Sequence, residues 1–143
     1  MSTAPKPVVS IEEVTERIRG LPLPDVDAVV AIERGGLTAG TIAASLLGRP
    51  LYRLRVEYRD DSNVPKFEDP QVVGSADFPI PSRGHVLVVD DVSVTGATLR
   101  SAAAALGGLT ISTLVLKGDA DLVAFPEIET CVTWPWTPGP AAT

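Results

Sequence analysis

The sequence predicts an α/β fold, a mainly parallel twisted sheet flanked by helices. Three observations lead there. DAVVAI (27–32), HVLVVDD (85–91) and TISTLVLK (110–117) contain near-continuous aliphatic runs, the pattern of strands buried on both faces. Segments with helical spacing, at 36–48 and 95–108, run on from the first two and end on glycine. Strands alternating with helices in this way build parallel crossovers rather than hairpins.

Each element has its own signal. Ser10 followed by Glu13 forms a capping-box pattern that opens a helix through about Arg19, and GLPLP breaks it. DAVVAI is bounded by an aspartate and a glycine pair, as a buried strand should be. GLTAGTIAASLLG (36–48) ends on Gly48 with Pro50 beyond, a normal helix stop. In LYRLRVEY (51–58), Tyr52, Leu54, Val56 and Tyr58 share one face and Arg53, Arg55 and Glu57 the other, so a strand is expected. Residues 59–84 are polar and proline-broken, long for a connection in a compact fold, and read as a lid or short hairpin. CVTWPW (131–136) is expected to form a last short strand. The Pro/Ala/Thr-rich tails, 1–8 and 138–143, are expected to fray around one domain spanning 1–143.

Composition narrows the function classes. A chain of 143 residues is long enough for one core, and 45% apolar with 21% charged residues is ordinary for a globular protein. A net charge of −6 argues against nucleic acid as the main partner, because phosphate backbones need a basic face. It leaves room for a small anion held by local donors. The single cysteine, Cys131, excludes an internal disulfide or a cysteine-rich zinc site, and reads as a small buried hydrophobe. With no signal-peptide pattern at the start and no apolar run of spanning length, a cytoplasmic protein that leaves membranes alone is expected.

The chemistry concentrates in VLVVDDVSVTGATL (86–99). Asp90 and Asp91 follow the aliphatic run at the carboxyl end of a strand, where open α/β sheets bind ligands. The chain is then expected to turn through Val92, Ser93 and Val94 and to open a helix at Thr95-Gly96-Ala97-Thr98. Free N–H groups and the helix dipole make such an N-terminus a seat for phosphate. Carboxylates beside it accept hydrogen bonds from vicinal sugar hydroxyls or help to hold Mg²⁺. A phosphorylated sugar matches both halves. A Walker B strand and a receiver-type metal pocket are the competing readings, and against the first GGLTAGT (35–41) carries Thr41 where a P-loop lysine belongs.

This stretch resembles the signature of the type I phosphoribosyltransferases for 5-phosphoribosyl-1-pyrophosphate (PRPP). The resemblance implies that Asp90 and Asp91 bind the ribose hydroxyls and the Mg²⁺ ion, and that Thr95, Gly96, Ala97 and Thr98 hold the 5-phosphate. AIERGGLTAG (31–40) is similar to the pyrophosphate loop of the purine-salvage branch, with Glu33, Arg34, Gly35 and Gly36 gripping the leaving group. TLVLK resembles the strand with the base-recognising lysine, Lys117. WPW resembles the segment that covers the base in bacterial xanthine-guanine enzymes, which implies base contacts from Trp134, Trp136 and Val94. The family further implies a homodimer, a small hood or lid, and transfer of the phosphoribosyl group to a ring nitrogen of a nucleobase.

The departures are equally specific. Many 6-oxopurine enzymes of the family carry an acid immediately before the Thr-Gly, where this chain has Val94, and Cys131 stands in place of a base-stacking aromatic. These keep two alternatives open: a PRPP or nucleotide sensor without catalysis, and a transferase with a non-purine acceptor. Lys117 favours a base with an exocyclic oxygen, because an ammonium donates and cannot accept. Taken singly, Lys117 also fits a surface lysine, Trp134 and Trp136 fit core residues, and Lys66 fits a solvated loop as well as a lid.

Overall fold

The computed structural model describes residues 7–33, 35–57, 71–75 and 83–137. Among them the elements are α1 (Ile11–Arg19), β1 (Ala28–Glu33), α2 (Leu37–Leu47), β2 (Leu51–Glu57), β3 (Gln71–Ser75), β4 (His85–Ser93), α3 (Ala97–Ala105), β5 (Thr110–Gly118) and β6 (Leu122–Val123). They form one six-stranded sheet in the order β3-β2-β1-β4-β5-β6. All neighbours pair in parallel except β3, which runs antiparallel to β2 at one edge.

The aliphatic runs are continuous because both sheet faces are covered. Val29, Leu87, Val89, Leu114 and Leu116 pack with Val14 and Ile18 of α1 and Ala39, Ala43 and Ala44 of α2. The alternate residues Val30, Ile32, Val86, Val88 and Val115 pack on the other face with Leu99 and Ala102 of α3. Small residues bring α2 close to the sheet; a Cβ on Gly40 would lie 2.6 Å from that of Ala31. The fold expected from the sequence is therefore present, with its parallel strands and helical layers.

Several local expectations are corrected. CVTWPW is not a strand: Val8 and Thr133 form only an isolated bridge, and Trp134 turns inward against Phe125, with ring centroids 5.7 Å apart. The last strand is instead β6, too short to carry a periodic signal. β3 falls inside the 59–84 stretch and pairs antiparallel with β2, in keeping with the hairpin half of the expectation for that stretch. Pro7 and Val9 hydrogen-bond to Thr133, so the part of the first tail at 7–8 is tied down rather than frayed. Tyr58, Lys66, residues 1–6 and 138–143, and most of the 59–84 stretch lie outside the described residues.

The end of β4 also differs. The acids do not terminate the strand; it runs on to Ser93, and α3 starts at Ala97 rather than Thr95. β1 pairs with β4 only from Val86 to Val89, whereas β5 stays paired with β4 from His85 to Ser93. Past Val89, β4 is open on its β1 side. This is the crevice expected where successive crossovers leave the sheet in opposite directions.

Candidate functional site

Two helices start at the rim of that crevice, and neither is capped by a side chain. The N-cap of α2 is Gly36 and that of α3 is Gly96; neither helix has an acidic residue in its first turn. Most of their leading N–H groups, and the positive ends of their dipoles, are thus left for an external anion. At α3 the Thr95 hydroxyl accepts from the Ala97 N–H at 3.2 Å, and the Arg100 guanidinium donates to the Thr95 carbonyl at 3.0 Å. These contacts hold the 95–98 turn in shape, and Thr98 is half-buried in it.

The glycine pair before α2 lies against the acid pair. A Cβ on Gly36 would come within 2.3 Å of the Val89 carbonyl and 2.8 Å of Asp90 Cα, and one on Gly35 within 2.5 Å of Asp91 Oδ2. Backbone leaves no room for a side chain at Gly36, and at Gly35 one would displace the Asp91 carboxylate. The loop after β1 therefore meets the Asp91 carboxylate directly, uniting two stretches more than fifty residues apart in sequence. Glu33, half-buried, ends β1 beside this loop; Arg34 lies outside the described residues.

Asp90 is 8% exposed. Its Oδ1 accepts from the Asp91 N–H at 2.8 Å, and Asp91 Oδ1 accepts from the Val92 N–H at 2.7 Å. Burial first, then the charge of Asp91 and a hydrogen bond between the two carboxyl groups, push the Asp90 carboxyl up to about 8. Two carboxylates offer hard oxygen ligands but make no cage. Among the described residues no group of three or more His, Cys, Asp or Glu side chains is placed to hold a metal. Such a pair fits Mg²⁺, which keeps several waters and takes further oxygens from substrate phosphates.

Beyond the acids, β4 and β5 end side by side and open a cavity of about 360 Å³. Val92, Ser93 and Val94 form one wall and Lys117, Gly118 and Asp119 the next, with Pro126, Ile128 and Glu129 opposite. Val94 is 84% exposed, an apolar side chain standing at the mouth. Ser93 Oγ is buried and has no hydrogen-bond partner among the described residues. Lys117 forms no ion pair among the described residues.

The opposite wall is braced from behind. Arg17 of α1 donates to the Ala124 carbonyl at 3.0 Å and to both Glu127 carboxylate oxygens at 2.9 and 2.6 Å, and stacks 4.6 Å from the Phe125 ring centroid. The guanidinium holds the Glu127 carboxyl below its usual range. Trp134 joins the same core and stacks on Trp136 with centroids 5.7 Å apart. Neither tryptophan lines the cavity; they pack behind it. Cys131, expected to be buried, is exposed because 131–133 does not enter the sheet.

The structure thus brings together Glu33, Gly35, Gly36, Asp90, Asp91 and the 92–98 turn, with Lys117 nearby. Sequence reasoning missed Asp119, Pro126, Ile128 and Glu129. Their only signal was a polar, proline-containing stretch after a buried strand.

The chain is similar in fold to a purine phosphoribosyltransferase from Pyrococcus horikoshii at 24% identity, covering 96% of this chain and 98% of that one, with a TM-score of 0.75. A hypothetical protein from Neisseria gonorrhoeae with bound ppGpp is 24% identical over 93% of this chain and 90% of its own, with a TM-score of 0.61. An orotate phosphoribosyltransferase from Aeropyrum pernix is 28% identical, with 80% of this chain and 59% of that one covered and a TM-score of 0.51. No curated protein matches by sequence. The family description "Phosphoribosyl transferase domain" matches residues 15–133, which take in the acid pair, α2, α3 and all six strands of the sheet, and this chain belongs to that family.

Proposed function

We propose that this protein is a Mg²⁺-dependent phosphoribosyltransferase that moves the 5-phosphoribosyl group of PRPP to a ring nitrogen of a nucleobase, a 6-oxopurine, and releases pyrophosphate. The observation that carries this reading is the contact of the Gly35–Gly36 loop with the Asp91 carboxylate at the mouth of two uncapped helices. That arrangement has two anion seats with a pair of carboxyl groups between them, which suits a ribose bearing phosphate at one end and diphosphate at the other.

On this reading the 95–98 turn holds the 5-phosphate and the N-terminus of α2, with Glu33, Arg34, Gly35 and Gly36, receives the diphosphate. Asp90 and Asp91 accept from the ribose hydroxyls and are the residues that would hold Mg²⁺. A bound Mg²⁺ would supply charge neutralisation on the leaving diphosphate. The protein's own part is positioning: the cradle and the acids fix the sugar so that C1 faces the cavity, where Lys117 donates to a carbonyl of the base. Trp134 and Trp136 support the base wall from the core side. A homodimer in the cytoplasm completes the proposal, and no helix among the described residues is long and apolar enough to cross a membrane.

The test is PRPP binding by calorimetry with Asp90→Asn plus Asp91→Asn, alongside pyrophosphate release across xanthine, guanine, hypoxanthine, adenine, uracil and orotate. The double variant should lose PRPP affinity at least about a hundredfold, since each charge-assisted hydrogen bond contributes roughly 1.5–3 kcal/mol. Unchanged affinity would sink the assignment. A second reading, a nucleotide sensor, draws on Val94 and on the ppGpp bound to the gonococcal neighbour. PRPP binding without turnover of any base would favour it.

A further inference from the structure

Forming a bond from a neutral base to ribose C1 leaves the base with one proton too many. The ring nitrogen contributes its lone pair to the new N–C1 bond. The C1–O bond breaks with its pair going to pyrophosphate, and a ring N–H must give up its proton. Val94 offers no acceptor, and Asp90 is buried and hydrogen-bonded to its neighbour. Within the transferase reading above, we propose that Asp119 takes this proton, and that Lys117 and Asp119 together select an oxo base whose carbonyl adjoins a ring N–H.

The backbone fixes Asp119 beside the place Val94 leaves empty of charge. Ser93 pairs with Gly118, and the Asp119 N–H donates to the Ser93 carbonyl at 3.1 Å. Gly118 has a φ of 115°, and a Cβ there would sit 1.9 Å from the Ser93 carbonyl oxygen. Only glycine permits this approach, so the chain past Lys117 is pinned to the end of β4. Lys117, Asp119 and Val94 then line one cavity together with Ser93. The Asp119 carboxylate itself forms no hydrogen bond or ion pair among the described residues, so it is free to accept.

Lys117 and Asp119 put a donor and an acceptor two residues apart. Their match is a ligand edge with a carbonyl next to an N–H, which 6-oxopurines have and adenine lacks. Glu129, on the opposite wall, is the other carboxylate of the cavity. It is not tied to the end of β4, where the sugar carbon would be held.

Asp119→Asn keeps the shape and removes the proton acceptor. With a base that wild type accepts, turnover should fall at least about a hundredfold while PRPP binding and melting temperature stay unchanged. An 8-aza analogue of that base, with a more acidic ring N–H, should narrow the loss by at least about tenfold, because a better acid needs less help. A variant within about threefold of wild type would overturn the proposal, as would a loss equal for both bases or one carried by Glu129→Gln instead. Adenine turned over as well as hypoxanthine would overturn the selectivity. Wild type that turns over no base would remove the transferase reading itself, and this assignment with it.

Discussion

At the start of α1, the Ser10 hydroxyl accepts from the Glu13 N–H at 3.1 Å and Glu13 reaches back to the Ser10 N–H at 3.3 Å. Glu12 and Glu13 add negative charge in the first turn. The starts of α2 and α3 have none of this; each begins at a glycine, without a side-chain cap or an acid. The first helix satisfies its own N-terminus and serves stability. Apart from the Ala97 N–H that Thr95 holds, the other two leave theirs open at the crevice, and they pack on the sheet through residues such as Ala43 and Ala102. The difference teaches where to look for function in such a fold: helix ends that local sequence does not close are completed by a ligand.

The sharpest way to break this comparison is at Gly36. Alanine there would drive a Cβ to 2.3 Å from the Val89 carbonyl, and backbone rather than a flexible side chain would have to move. Gly36→Ala should destabilise by about 3 kcal/mol or more, beyond the upper end of ordinary overpacking, as read by urea denaturation. A change below about 1 kcal/mol would mean that α2 does not need to begin against β4.

Asp90 comes next. Its carboxyl ionises near the usual 3.8 when unfolded but only at about 8 when folded, so the folded state holds the proton more tightly. The stability this supplies is complete below pH 3.8 and is lost as pH rises through about 8, a total on the order of a few kcal/mol. Asp90→Asn should flatten that dependence and melt above wild type at pH 8 in chelator without PRPP, because the amide still accepts from the Asp91 N–H. Parallel curves for the two proteins would show that burying Asp90 carries no such penalty. The smallest effect belongs to the self-sufficient helix. Ser10→Ala should cost about 1 kcal/mol in denaturant titration and leave pyrophosphate release unchanged.

Much of this was legible in the chain. Near-continuous aliphatic runs within 27–32, 85–91 and 110–117 mark strands covered on both faces, and Gly48 with Pro50 marks a helix end, since these signals are local. The Asp90–Asp91 pair stands out because charge at the end of a buried strand needs a reason. What escaped was set by partners distant in sequence. β6 is too short for periodicity, and where β3 falls depends on the edge that β2 offers. CVTWPW alternates like a strand, yet the packing of Trp134 on Phe125 outweighs that pattern.

By itself the sequence determined the layered fold, the acid pair and the Thr95–Thr98 turn beside it, because periodicity and charge placement act over a few residues. Only the tertiary structure decided that Gly35 meets Asp91, that β4 runs on to Ser93 and that Asp119 is pinned beside Val94. Those contacts depend on how far β1 and β5 stay paired with β4, and strand register is settled by packing across the whole sheet.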